Sequence, residues 1–134
     1  MIHRHRLRDV GISEKDIGSG EYARGGGGRA AATHRTIYAP DAVHEFPWAS
    51  EGQVRRLEGR EAIAAYMRQL PGHIVFGPFE DVQVREVGDE TIVQATGRHR
   101  RPDGTPRDLS YIGFITRRDG KVTRWQDYMN ALQP

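Results

Sequence analysis

The sequence predicts one α+β domain, with a single amphipathic helix packed on a curved, antiparallel or mixed sheet. Three observations carry this. Apolar residues recur at helical spacing in one place only, at Ile63, Tyr66, Met67 and Leu70. After Pro71-Gly72 the chain reads as strands divided by turn signals. Before residue 35 it is rich in Gly and Arg and poor in large apolar side chains. The length, 134 residues, suits one domain.

Residues 1–34 contain Gly25-Gly26-Gly27-Gly28 and scattered Leu7, Val10, Ile12 and Ile17. Such a segment buries too little apolar area to repay ordering, so it is expected to be mostly disordered. The folded domain is expected over residues 35–134. Tyr38-Ala39-Pro40-Asp41 reads as a turn, Ala42–Phe46 as a short strand stopped by Pro47, and Trp48–Leu57 as a loop. Gly59 leads into a helix over Arg60–Leu70, which Pro71-Gly72 ends. Strands follow over Phe79–Val87, Thr91–Arg101, Arg107–Arg118 and Lys121–Met129. Asp119-Gly120 is a two-residue hairpin signal. One helix leaves part of the sheet uncovered, so more helix or a partner chain is needed.

Composition narrows the chemistry. There are no cysteines, which removes disulfides, thiolate ligands and cysteine nucleophiles and favours a reducing, cytoplasmic setting. No apolar run approaches the roughly 20 residues that span a bilayer, and the Met-Ile-His-Arg-His-Arg start lacks the apolar stretch of a secretory signal. Residues 1–36 hold seven Lys/Arg against four Asp/Glu, and the remainder thirteen against fourteen. The folded part is near neutral, so neither a nucleic acid nor a membrane is expected as a partner. His44, His73 and His99 lack metal-ligand spacing, and no metal or cofactor is expected. Nor is there a phosphate-cradling GK[ST] loop or a G-x-S-x-G elbow.

If Asp119-Gly120 closes a two-residue loop, Phe114 faces Trp125 and Ile112 faces Asp127. With a five-residue loop at 102–106, Arg98 sits opposite Ser110. One face then carries Arg98, Ile112, Phe114, Trp125, Asp127 and Met129, apolar with one acid and one base, as a ligand pocket is. The other carries His99, Leu109, Tyr111, Gly113 and Ile115 and suits a subunit interface. A slip of one residue would exchange the faces.

The motifs Tyr-Ala-Pro-Asp-Ala-Val-His-Glu-Phe-Pro (38–47), Leu-Glu-Gly-Arg-Glu-Ala-Ile (57–63) and Asp-Gly-Lys-Val…Trp-Gln-Asp-Tyr-Met-Asn (119–130) resemble the SnoaL-like proteins. That group includes polyketide cyclases, ketosteroid isomerases and PhzA/PhzB-type proteins. The resemblance implies the nuclear transport factor 2-like fold, a cone-shaped sheet wrapped on helix, and a homodimer through the outer sheet face. It also implies opening helices that close the cone, which the Gly/Arg-rich residues 1–34 do not supply. Either the lid is missing or that stretch stems from a mis-assigned start. The isomerase general base and oxyanion donor fall at Phe46 and Ile112, which can neither take a proton nor stabilise an enolate. Steroid isomerisation by that mechanism is therefore not expected.

Asp127 is the leading catalytic candidate. The resemblance turns Trp125, Asp127 and Met129 into the cone, where a desolvated carboxylate suits acid–base work. An ion pair with Arg98 is the structural alternative. His44 shares parity with Phe46 and is a base or a ligand anchor, unless a backbone carbonyl satisfies it. Arg98 is the candidate for orienting a carboxylate or enolate. Phe46, Trp48, Tyr66, Ile112, Phe114, Trp125 and Met129 are the expected wall, though core packing would explain them equally well. Two functions follow: a cofactor-free isomerase or cyclase acting on a hydrophobic ketone-like metabolite, or a non-catalytic ligand-binding or accessory dimeric protein.

Overall fold

A computed structural model describes residues 3–5 and 37–132. One mixed sheet and one helix make up the fold. In chain order the elements are β1 (His3–His5), β2 (Tyr38–Glu45), β3 (Arg56–Glu58), α1 (Arg60–Gln69), β4 (Phe79–Val87), β5 (Glu90–Arg100), β6 (Pro106–Arg118) and β7 (Lys121–Ala131). The sheet order is β1-β4-β5-β6-β7-β2-β3. Neighbours are antiparallel except β2 and β7, which run parallel. The expected disorder of residues 1–34 lies outside the described residues, apart from His3–His5, a short edge strand beside β4.

The helix starts and stops where local chemistry dictates. Gly59, at φ 90°, turns the chain in and donates its N–H to the Ala42 carbonyl at 2.8 Å. Pro71 lies in the 3-10 turn Leu70–Gly72 that ends it. Ile63, Ala64 and Met67 are buried against the sheet. The core on that face joins Tyr38, Ala42, Ile63, Met67, Val84, Val93, Ile115, Val122 and Trp125. The expected turn at Tyr38–Asp41 is instead the first half of β2, with an irregularity in its pairing to β7 between Tyr38 and Val43. Part of the expected loop 48–57 is β3, paired with β2.

Sheet register decides what faces the helix. Asp119 and Gly120, at φ 52° and 77°, close the two-residue hairpin, with Arg118 opposite Lys121 as expected. One step later the register breaks. Arg117 pairs with Val122, but Thr116 pairs with Arg124, leaving Thr123 as an extra residue on β7. From there Ile115 faces Trp125, Gly113 faces Asp127 and Tyr111 faces Met129. The bulge puts Val122 and Trp125, three residues apart, on the same buried face. In a regular strand they would point oppositely.

Two face assignments are thereby corrected. The face covered by α1 carries His99, Leu109, Tyr111, Gly113 and Ile115 together with Trp125, Asp127 and Met129. Arg98, Ile112 and Phe114 lie on the outer face. Arg98 sits opposite Asp108, not Ser110.

Candidate functional site

Inner-face side chains from β2, β6, β7 and α1 surround a funnel. An outer chamber of about 670 Å³ is lined by Trp48, Gln53, Val54, Gln69, His73, Arg107 and Asn130, with Phe46, Tyr66, Leu109, Asp127 and Met129 at its inner side. An inner chamber of about 130 Å³ shares those last five residues and Leu70, and adds His44, Met67, Ile74, Phe76, Tyr111 and Trp125. A small recess of about 20 Å³ lies among Val93, Ala95, Tyr111, Gly113, Trp125 and Asp127. Asp127 lines all three.

Two glycines make room. A Cβ on Gly113 would lie 2.9 Å from Nε1 of Trp125, and one on Gly97 would lie 2.1 Å from Nε2 of His99. Each ring therefore presses close on a strand position that has no side chain.

Asp127 is held by a buried relay. His44 Nε2 stands 3.3 Å from Asp127 Oδ2, and His44 Nδ1 stands 3.2 Å from the Tyr38 hydroxyl. A carboxylate only accepts, so Nε2 is assigned as the donor to Asp127, with the Tyr38 hydroxyl as the partner of Nδ1. Trp125 stacks on His44, with ring centroids 5.5 Å apart and planes at 15°. Phe46 lies on the same imidazole at 4.8 Å. With both nitrogens engaged and the residue 1% exposed, His44 orients Asp127, which faces the chambers. The Asp127 side chain is 17% exposed, and its Oδ1 receives no hydrogen bond from the described residues.

A second histidine–tyrosine pair places Tyr111 on the wall of the inner chamber, with His99 buried beside it. The Gly77 N–H donates to His99 Nδ1 at 3.0 Å, which leaves the ring proton on Nε2. Nε2 then donates to the Tyr111 hydroxyl at 2.9 Å. Burial holds the His99 pKa down to about 4, so the ring is neutral at ordinary pH. The Tyr111 phenol proton is thus free to donate elsewhere. Burial first, and then the Asp127 charge, push the Tyr111 hydroxyl far above its ordinary range. The same two causes raise Tyr66. Two protonated phenols therefore stand within electrostatic reach of one carboxylate.

Of the sequence candidates, the structure gathers Asp127, His44, Phe46, Tyr66, Trp125 and Met129 around the inner chamber. Trp48 stands at the rim, 62% exposed, with its edge toward Tyr128. Arg98 is outside: its guanidinium bonds Glu80 at 2.9 Å and Asp108 at 3.0 Å, so it neither faces the chambers nor forms the ion pair with Asp127 that was the structural alternative. Ile112 and Phe114 share that outer face, where Phe114 packs edge-on to Tyr128. Sequence reasoning missed Tyr111 and His99, which it assigned to an interface. Gly97 and Gly113, lying in the same odd-numbered series, were the available signal that bulky rings press on that face.

No group of three or more His, Cys, Asp or Glu side chains arranged for a metal occurs among the described residues. No helix among them is long and apolar enough to cross a membrane.

One mixed sheet wrapped on a helix is the fold of the SnoaL-like domain. The family model matches residues 22–125, and the chain belongs to that family. Among relatives, the uncharacterised protein YesE of Bacillus subtilis is 36% identical over 99 residues, covering 72% of this chain and 67% of its own length. The uncharacterised PhzA/B-like protein PA3332 of Pseudomonas aeruginosa is 34% identical over 102 residues, covering 72% and 70%. The crystal structure of a candidate isomerase from Bacillus subtilis is 32% identical with a TM-score of 0.69, covering 75% of this chain and 74% of that one. The fold is nuclear transport factor 2-like and ketosteroid isomerase-like, as solved structures of lower identity share it.

Proposed function

We propose that the funnel is the active site of a cofactor-free isomerase or cyclase that moves a proton beside the carbonyl of a hydrophobic, ketone-like metabolite. The observation that carries this reading is Asp127, oriented by His44 through one oxygen and unbonded through the other, at the junction of all three chambers. Asp127 Oδ1 takes the α-proton. The C–H electron pair becomes the C=C bond of an enolate, and the carbonyl π pair moves onto oxygen. Tyr111, fixed by His99, and Tyr66 donate hydrogen bonds to that oxygen. The protonated Asp127 then returns the proton to another carbon, which is isomerisation. Where the enolate carbon instead attacks a second carbonyl, the proton goes to the new alkoxide, which is cyclisation.

The name of the Bacillus subtilis structure, an isomerase candidate, supports the same class. The half-buried outer strip of Ile92, Ile112, Phe114 and Tyr128 is the surface we assign to a homodimer. Cysteine-free composition supports a cytoplasmic setting.

The test follows α-proton exchange of phenylacetone in D2O by NMR. The wild type is expected to accelerate exchange, and Asp127→Asn to lower the acceleration by about 100-fold or more. Exchange that is equal in both proteins, or no acceleration by the wild type, would overturn the catalytic reading and leave a ligand-binding protein.

A further inference from the structure

The two chambers differ in charge as well as in size. The inner one is apolar apart from Asp127, His44 and Tyr hydroxyls, whereas the outer one brings Arg107, His73, Gln69 and Asn130 to its wall. Among the described residues, the outer chamber has one acid, Asp127, and His44 already engages it.

Arg107 is placed to meet a ligand. It lies on β6 opposite His99, on the inner face, and is half-buried. The outer-face arginines Arg98 and Arg124 are tied to carboxylates. Arg55, Arg68, Arg100, Arg101 and Arg118 form no side-chain hydrogen bond or ion pair among the described residues, but all five are exposed to water. Arg107 has no such partner either, and it is the half-buried one. A partly desolvated cation without a partner is costly, and an anion arriving beside it offsets that cost. Its charge also reaches the reacting groups, because it opposes the upward push that burial and Asp127 exert on the Tyr111 hydroxyl.

Size sets the other end of the ligand. An apolar cavity of about 150 Å³ binds benzene, so the inner chamber of about 130 Å³ admits about one six-membered ring. The outer chamber of about 670 Å³ takes the remainder.

We infer that the funnel takes an amphiphilic organic anion, whose ring-sized apolar end enters the inner chamber and whose anionic oxygen group is held by Arg107 at the mouth. The inference rests on the reading of the funnel as a small-molecule site and names the class of molecule. Asp127 and the two tyrosines then act on the part of the ligand between these ends.

The test is calorimetry of the full chain at low ionic strength with 3-phenylpropanoate, its neutral amide and 2-phenylethyl phosphate. The wild type is expected to bind the acid at least about tenfold tighter than the amide, as a charge-assisted bond to arginine implies. Arg107→Gln should drop the acid to the level of the amide and leave the amide unchanged. Arg107→Lys, which retains the charge, should keep most of the preference, so a poorly folded Gln variant does not hide the result. Phosphate binding tighter than acid names the group as a phosphate ester, and the reverse names it as a carboxylate. Equal affinity for acid and amide, uptake of neither, or a preference that survives Arg107→Gln overturns the inference. Proton exchange separates the two readings. An Arg107-dependent preference with exchange unaffected by Asp127→Asn would remove the catalytic reading alone. Asp127-dependent exchange without any preference for the anion would remove this inference alone.

Discussion

The two faces of one sheet use their polar groups in opposite ways. On the outer face, arginines are tied to acids: Arg98 to Glu80 and Asp108, and Arg124 to Glu45, which Arg56 also meets. On the inner face, polar groups are oriented without being exhausted. His44 fixes one oxygen of Asp127, and His99 fixes the acceptor side of Tyr111. In each case the remaining oxygen or hydroxyl proton has no hydrogen bond from the described residues. A group fully paired within the fold has little to offer a ligand, whereas one held by a single buried partner is positioned and still available. The difference between the faces therefore separates structural charge from candidate chemistry, and Thr123 decides which residues belong to which.

Deleting Thr123 is the most severe way to break the comparison. Without the extra residue, Val122 and Trp125 cannot both face α1, and Asp127 and Met129 turn outward with Trp125. Losing the burial of a Trp costs about 3–5 kcal/mol, a large share of a typical total of about 5–15 kcal/mol. The expected result is a melting temperature lowered by more than about 10 °C, or no cooperative transition, read by circular dichroism. Thr123→Ala keeps the residue count and loses one 3.3 Å hydrogen bond to the Thr116 carbonyl, worth about 1 kcal/mol. Similar melting of the deletion and the wild type would mean that the bulge does not hold the inner face.

The same bulge explains what could be read from the sequence. The helix, the Asp119-Gly120 hairpin and four long strands were legible because each depends on local chemistry: a 3.6-residue period, Gly at positive φ, alternation between turns. Asp127, His44, Phe46 and Trp125 were legible as inward-facing through motif resemblance. Tyr111 and His99 were not, because strict alternation was carried past Thr123 and exchanged the partners of β7. Two large apolar residues three apart, Val122 and Trp125, were a sign that alternation fails there, since both need burial. The parallel β2–β7 pairing and the β3 edge were invisible for another reason. The first joins residues 38–45 to β7, and the second is three residues long and pairs only with β2, so no local pattern specifies either. Arg98 shows the cost of the slip most directly, because a register error turned an outer ion-pair residue into a candidate catalyst.

A milder probe acts within the inner face and concerns pH. The folded His99 titrates at about 4 because burial disfavours its charged form, against an ordinary value of 6.5. Below pH 6.5 the unfolded chain binds a proton at this site that the folded chain refuses. Stability from this source is therefore full above 6.5, falls as pH drops from 6.5 to about 4, and then levels off. Across that window this residue alone raises the unfolding constant by up to about tenfold per pH unit. His99→Gln removes the titration and keeps a donor for Tyr111. The expected outcome is a wild-type advantage in urea midpoint near pH 7 that narrows toward pH 4.5. A gap independent of pH would mean that His99 is not held neutral by burial.

The smallest effect is expected from the sequence candidate that the structure places on the outer face. Arg98 is 43% exposed at its side chain, and both of its acids are in contact with solvent. Water screens such pairs, and each partner regains hydration when the pair is broken. Arg98→Ala should therefore leave melting indistinguishable from the wild type, and ketone exchange and the acid-over-amide preference unchanged. Arg107→Gln, nine residues on and on the opposite face, should leave melting similarly intact while abolishing that preference. The pair of variants makes the contrast between the faces a single experiment: two arginines of the same hairpin, both dispensable for folding, one needed for the ligand. If Arg98→Ala lowered exchange or ligand affinity, the outer face would be contributing to the site and the division drawn by Thr123 would fail.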